Sequence, residues 1–366
     1  MVIFLVGKRK RVVVKIGTNL LIDESGVRDG VISSLTEAIT SSKEEVIVVS
    51  SGAVGFGRRS IHAKLKHQDD VLTNVCAAVG QHEVMTLFAS HFAEKKRKVA
   101  QLLVTQNDFS NRKTFLQVKA VIEEMLQRNI IPIINENDAI ASRTNRFPDN
   151  DWVAMQIASK IDADRLVLLT NVDGVYDKDP RSEKDARVVS EFDMTTKVGI
   201  GKRNGAMSRG GMESKINSAL LGSHLGIPII IANGNEKEKI SAAIEGSRTG
   251  TSFSPKAKIG SKRRWIMLAK EKGKISINQG ACAALMKKMS LLAIGVMGVE
   301  GDFLPGDVVI LSVDGKSIAK VITEVGSDAL ELIKGKTTQE IALLHDDYSA
   351  VARNENICLL EEQKWI

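Results

Sequence analysis

The chain has 366 residues, 43% hydrophobic and 26% charged, with 51 Lys and Arg against 44 Asp and Glu for a formal net charge of +7. That is too apolar for a disordered chain and longer than one hydrophobic core usually extends, so at least two folded domains are expected. No apolar run approaches the roughly 18–20 residues of a membrane helix. The basic run Lys8–Arg11 follows the short apolar start instead of preceding it, the wrong order for a secretory signal. Cys76, Cys282 and Cys358 are odd in number and far apart, which argues against a disulfide framework or a zinc site and predicts reduced, buried thiols. A cytoplasmic protein of enzyme size is expected, without a membrane. The basic runs at 8–11, 95–98 and 262–264 read as solvated faces or linkers.

From Arg11 to Ile231, short β-branched runs alternate with amphipathic segments. The runs are Arg11–Ile16, Val46–Val49, Val99–Thr105, Ile130–Ile134, Arg165–Leu169 and Ile227–Ile231. Continuous Val, Ile and Leu predict strands buried on both faces, and their alternation with helices predicts a parallel sheet covered on both sides. Ligands in such sheets bind beyond the carboxyl ends of the strands, so the loops after these runs are where function is sought. Gly246–Lys262 is rich in Gly, Ser, Thr, Pro and Lys and reads as a linker. Beyond it, Ile275–Ile277, Val308–Ser312 and Ser317–Val325 are separated by Pro305-Gly306-Asp307, Asp314-Gly315 and Gly326-Ser327-Asp328, the turn chemistry of a small, mainly β domain. No internal repeat or low-complexity tract is seen.

Five loops carry candidate chemistry. In Val14-Lys15-Ile16-Gly17-Thr18-Asn19 a lysine ends a buried strand beside a glycine that lets backbone approach a phosphate; a plain surface lysine is the bland alternative. Ser50-Ser51-Gly52-Ala53 leads from a strand into a helix with exposed amides, or is a tight turn of small residues. Asn135-Glu136-Asn137-Asp138 follows a buried strand, and Asp149-Asn150-Asp151 opens the predicted helix Trp152–Ser159. Together they make a cage for a zwitterion, although Asn150 or Asp151 also suits a plain helix N-cap. Leu168–Tyr176 with Asp179-Pro180 is the fourth. Gly210-Gly211-Met212-Glu213-Ser214-Lys215 heads an amphipathic helix as an anion site or as a hinge.

Taken in this order, the chain resembles the amino-acid kinase family, and within it the glutamate 5-kinases. The resemblance rests on Lys15 with Gly17 and Thr18, Ser51-Gly-Ala53, Ala77-Ala-Val-Gly-Gln81, Pro132–Asp138, Asp149-Asn-Asp151, Asp173–Tyr176 with Asp179-Pro-Arg181, and Gly210–Lys215. The tail, with Lys262–Trp265 and Leu304–Asp307, resembles a PUA domain. The fold it implies is α/β: an amino-acid kinase αβα sandwich with a mainly parallel central sheet over residues 1–255, a linker at 256–262 and a small, mainly β PUA domain over 263–366. The activity it implies is ATP-dependent phosphorylation of the side-chain carboxylate of L-glutamate, the first step toward proline, with Mg2+ bridging the β- and γ-phosphates.

By the same resemblance Lys15 and Lys215 stabilise the moving phosphoryl group and Asp151 orients them. Ser51, Asp138 and Asn150, joined by Asn135 and Asp149, bind glutamate. Lys15, Thr170, Asn171, Arg209, Gly210, Gly211, Met212, Glu213, Ser214 and Lys215 bind the nucleotide, and no residue is assigned to a protein-held metal. Asn171 stands where an aspartate is common, Arg209 where a small or hydroxylated residue is, and Trp152 where a small or polar one is. The family implies inhibition by proline, a homo-oligomer (dimer or tetramer) and functional coupling to a glutamyl phosphate reductase. The alternatives are another carboxylate or phosphate kinase of the same fold, or an RNA-binding protein dominated by its PUA-like tail. A pI of about 9.2 permits the latter, but an aromatic fraction of 4% and no interleaved basic and aromatic residues argue against it.

Overall fold

The structure is a computed structural model that describes residues 9–64, 69–142, 146–192, 211–255, 257, 259–343 and 350–360. The chain divides into two compact units, Met1–Lys258 and Ile259–Ile366. In the first, the β-branched runs become strands β1 (Arg11–Ile16), β2 (Glu45–Ser50), β3 (Lys98–Val104), β4 (Ile130–Glu136), β5 (Arg165–Thr170) and β6 (Ile229–Asn233), closed by the short β7 (Thr251–Phe253). They form one sheet in the order β3-β4-β2-β1-β5-β6-β7. Every pairing is parallel except that of β6 with β7. After β1 the chain builds outward through β2 to one side and later through β5 to the other, so β1 marks the switch point at which such sheets open a crevice.

The helices of this unit that bear on the site are α1 (Asp29–Ser41), α2 (Ala53–Ser60), α3 (Asp70–Glu94), α4 (Arg112–Gln127), α5 (Asn150–Lys160), α6 (Met212–His224) and α7 (Lys237–Glu245). The period of two along the strands sends Val12, Val14, Ile16, Val46, Val48, Val167 and Leu169 into one core with Leu35 and Ile39 of α1, Phe88 and Phe92 of α3, and Ile240 and Ile244 of α7. The intervening Val13, Ile47, Val49, Leu166 and Leu168 are equally buried. Helix α5 lies across β1, β2, β4 and β5 and is buried almost all round, which explains its weak amphipathic pattern. Helices α2 and α3 meet backbone to backbone: a Cβ on Gly80 would fall 1.9 Å from the Ala53 carbonyl oxygen, and one on Gly57 would fall 1.8 Å from that of Cys76.

In the second unit β8 (Gly273–Ile277), β9 (Val296–Gly301), β10 (Val308–Val313), β11 (Lys316–Ile322) and β12 (Ile357–Leu359) form a sheet in the order β9-β8-β10-β11-β12, antiparallel except between β8 and β10. Its core gathers Ile275, Phe303, Leu311, Val321, Leu330 and Val351.

The expected linker Gly246–Lys262 needs correction, because it contains β7 and the start of the helix Ser261–Leu268. Thr251 is fully buried, donating its hydroxyl to the Val189 carbonyl and accepting from the Val175 N–H at 2.8 Å. Composition reads such a residue as polar and loop-like, whereas its tertiary partners make it a strand. Gly326-Ser327-Asp328, expected as a turn, opens the helix Ser327–Ile333. The three cysteines are unpaired, with Cys76 and Cys358 buried. Among the described residues no helix is long and apolar enough to cross a membrane.

Candidate active site

Lys15 lies on the odd-numbered side of β1, the side that does not face the Val12–Val14–Ile16 core, and its ammonium reaches Asp151 Oδ1 at 2.8 Å. Asp151 sits in the first turn of α5 and is fully buried. Its other oxygen, Oδ2, accepts from Lys215 Nζ of α6 at 2.9 Å. Both lysines are nearly as buried as the carboxylate between them. Two ammonium groups therefore share the Asp151 carboxylate, with Asp149 the second acid close enough to act on them. Buried charge of this kind costs several kcal/mol per ion unless it is paired, which is why Asp151 stands between the two lysines. Gly17 lies beside Lys15, and a Cβ there would sit 3.5 Å from Nζ.

Burial raises the Asp151 carboxyl, but the charges of Lys15 and Lys215 outweigh it and hold the group below the usual carboxylate range. Burial, and then the charge of Lys215, pull the Lys15 amine below its ordinary value against the attraction of Asp151. Asp149 is pushed the other way, by burial and by the neighbouring charge of Asp151.

The cap of α5 is Asp149, which accepts from the Trp152 N–H at 2.9 Å; neither Asn150 nor Asp151 is spent as the cap. The second oxygen of Asp149 accepts from the Ser214 hydroxyl, tying α5 to the start of α6. Asn150 is left free to donate to Ser51 Oγ at 2.9 Å and to Asn135 Oδ1 at 3.1 Å, while its own Oδ1 is buried without a hydrogen-bond partner. Asn135 in turn donates to Gln81 Oε1 at 2.7 Å, and the Gln81 amide nitrogen is again buried and unpartnered. The close contact of Gly80 with Ala53 is what brings Gln81 beneath the Ser51 loop. That loop turns at Gly52, whose φ of +103° is open to glycine and costly for other residues. Asp138 is flanked by Arg146, with Nε 3.6 Å from Oδ1.

Thr170 and Asn171 belong to a second group at the ends of β5 and β6. Gly234 N–H donates to the Thr170 carbonyl at 2.7 Å, and the Asn235 amide reaches the Asn171 carbonyl at 3.3 Å. Asn235 also accepts from Arg28 at 2.8 Å, and Arg28 donates to the Asn19 carbonyl at 3.0 Å, so this group is tied back to the short helix Thr18–Leu21 after β1. Asp173 is held by Asn233 at 2.8 Å and by Lys239 at 2.6 Å. Gly211 caps α6, on which Met212, Glu213, Ser214 and Lys215 follow in the first turn. Arg209 and Gly210 lie outside the described residues.

Thus the structure joins Lys15, Asp151 and Lys215 in one cluster, Asp149 with Ser214, and Ser51 with Asn135 and Asn150; Thr170 and Asn171 stand apart from these hydrogen bonds. Sequence reasoning quoted Gln81 and Asp173 within motifs but assigned them no role. Arg28, Arg146, Asn233 and Asn235 it missed entirely, since single polar residues in loops or at a strand end carry no local signal.

Residues 10–233 match the model of the amino acid kinase family and residues 273–343 that of the PUA domain. A glutamate 5-kinase from Methanococcoides burtonii is 36% identical over 370 residues, spanning 98% of each chain. One from Dictyoglomus thermophilum is 35% identical over 367 residues, 96% of this chain and 98% of that one. Among solved structures, an isopentenyl phosphate kinase superposes with a TM-score of 0.50 at 15% identity, covering 67% of this chain and all of the other, a likeness of fold.

Proposed function

This chain belongs to the amino acid kinase family and carries a PUA domain, and on that premise we propose that it transfers the γ-phosphoryl group of ATP to the side-chain carboxylate of L-glutamate, giving L-glutamyl 5-phosphate and ADP. The observation that carries this reading is the pair of buried ammonium groups around Asp151. Donor and acceptor are both anions, and fixed positive charge lets them meet in line. Lys15 and Lys215 supply that charge at the bridging and transferring phosphates. Asp151 keeps both aimed. The acceptor carboxylate is already ionised near neutral pH, so the site needs no general base. Ser51, Asn135, Asp138, Asp149 and Asn150 hold the amino acid. Lys15, Thr170, Asn171 and the segment 209–215 hold the nucleotide. Among the described residues no three or more His, Cys, Asp or Glu converge. Magnesium, carried on the nucleotide's phosphates as part of the substrate, would supply charge neutralisation there.

The domain reading is a kinase domain at 1–255 and a PUA domain at 263–366. Proline inhibition, a cytoplasmic homo-oligomer, and consumption of the labile product by a glutamyl phosphate reductase extend the proposal. The test is ATP- and magnesium-dependent formation of γ-glutamyl hydroxamate from L-glutamate, with N-acetylglutamate and aspartate alongside, with and without proline. Turnover on glutamate alone supports the reading. Turnover on another acceptor in its place overturns it.

A further inference from the structure

The residues placed so far leave one charge of an α-amino acid without a fixed counter-charge. Lys15 and Lys215 are engaged with Asp151 and the transferring phosphate, and Asp138 suits the ammonium group, but nothing yet faces the α-carboxylate.

Arg146 has the required properties. Its side chain is 6% exposed, and its Nε is buried without a hydrogen-bond partner. Its Nη2 donates to Asn74 Oδ1 at 2.7 Å and more distantly to the Asp138 carbonyl at 3.4 Å, which anchors one corner of the guanidinium. The fold brings it there because Glu136, ending β4, accepts from the Phe147 N–H at 2.9 Å. That bond closes the excursion between 136 and 147 and returns Arg146 to Asp138. The closure is flanked by Asn135 and Asn150; Asn150 donates to Asn135 and to Ser51. A cation and an anion thus stand side by side next to the amide cluster, at 3.6 Å, a loose separation for an ion pair. A zwitterion can insert between this loosely spaced cation and anion, meeting each with a group of opposite charge. The planar guanidinium takes the carboxylate and Asp138 takes the ammonium.

We propose that Arg146 binds the α-carboxylate of the amino-acid substrate and, paired with Asp138, makes the site specific for an α-amino acid over a simple carboxylic acid. This rests on the reading of the chain as a glutamate kinase.

The test uses the full-length protein with L-glutamate as substrate and two analogues as competitive inhibitors: 4-aminobutyrate, which lacks the α-carboxylate, and glutarate, which lacks the amino group. For Arg146→Met the glutamate KM rises about 10²-fold with kcat and the ATP KM nearly kept, because a site built to pair a charged group loses its discrimination when that partner is removed. The Ki of 4-aminobutyrate stays within about twofold, since it never used Arg146, so the preference for glutamate over it collapses. Arg146→Lys recovers part of the affinity, and Asp138→Asn shows the converse pattern, losing discrimination against glutarate. If Arg146→Met kept the preference over 4-aminobutyrate, or reproduced the Asp138→Asn pattern, Arg146 would only be holding Asp138 in place and the proposal would fall. A wild-type protein without turnover on glutamate would instead overturn the parent reading.

Discussion

Helix Asn150–Lys160 carries a buried charge at each end, and the protein treats the two differently. At its start, Asp151 is sandwiched between Lys15 and Lys215 at 2.8 and 2.9 Å. At its end, Lys160 is 5% exposed and, among the described residues, has no acidic partner. Its ammonium donates to the Phe109 carbonyl at 2.6 Å and lies 5.0 and 4.8 Å from the ring centroids of Phe109 and Phe115. The helix dipole favours both placements, an anion at the N-terminus and a cation at the C-terminus. What differs is compensation. Full charges outweigh burial at Asp151, so the carboxylate stays ionised; a carbonyl and two ring faces do not outweigh it at Lys160, whose amine is pulled down to about 7. Ionic pairing therefore maintains a buried charge, whereas the aromatic cage holds an amine that titrates near neutrality.

Breaking the first arrangement has the largest expected effect. Asp151→Asn leaves two buried ammonium groups without their shared counter-ion and should cost about 3–5 kcal/mol of stability, read by urea denaturation, together with most of the activity. Because the Asp151 carboxyl is held low in the folded state, its contribution is present above the ordinary aspartate range and is lost only as pH falls through the depressed folded value. The gap between wild type and variant should accordingly persist across neutral pH and close only in strong acid. A gap that closed near pH 6 would show that Asp151 is not held by the lysines.

Lys215→Ala removes one of the two charges and keeps the Lys15–Asp151 pair intact. It should lower kcat by about 10²–10³-fold while changing the glutamate KM little, since its charge acts where charge develops. A variant whose KM moved while kcat stayed would place Lys215 in ground-state binding instead.

At the other end of the helix, Lys160→Met sharpens the contrast. A shift from 10.5 to about 7 corresponds to a penalty on the order of 5 kcal/mol, partly offset by the carbonyl and ring contacts. Between these two values the unfolded chain binds more protons than the native one, so wild-type stability should rise with pH over that interval and be penalised fully below about 7. The methionine variant should thus be favoured over wild type most at pH 6 and progressively less toward pH 10 in thermal melts. A difference independent of pH would mean that Lys160 stays charged in its cage.

The smallest effect is expected at Gln81→Leu, which takes away the acceptor of Asn135 and leaves a buried amide unsatisfied at about 1–3 kcal/mol. The glutamate KM should rise up to about tenfold with kcat largely kept. An equal rise in the ATP KM would assign Gln81 to the general architecture of the unit.

Much of this was legible locally. Periodicity and β-branched composition predicted the six parallel strands, because burial on both faces acts on each short run independently of its neighbours. Turn chemistry predicted the strand-rich second unit, and Lys15, expected toward the end of a buried strand, lies there beside Asp151. The sequence was less informative where polar residues choose among partners. It left open which residue of Asp149-Asn150-Asp151 caps the helix, and it took β7 for part of a linker.

Residue order by itself thus determined the strands and helices, the end of the sheet that bears the loops, and a set of charged and amide side chains concentrated there. Tertiary structure alone decided that Asp151 stands between Lys15 and Lys215, that Asn150 is released by the Asp149 cap to join Ser51 and Asn135, that Arg146 returns to Asp138, and that Lys160 ends in a cage of phenylalanines. The physical reason is range. Propensity and periodicity act between residues a few positions apart along the chain, while the energy of a buried charge depends on whichever groups the fold brings within a few ångströms of it.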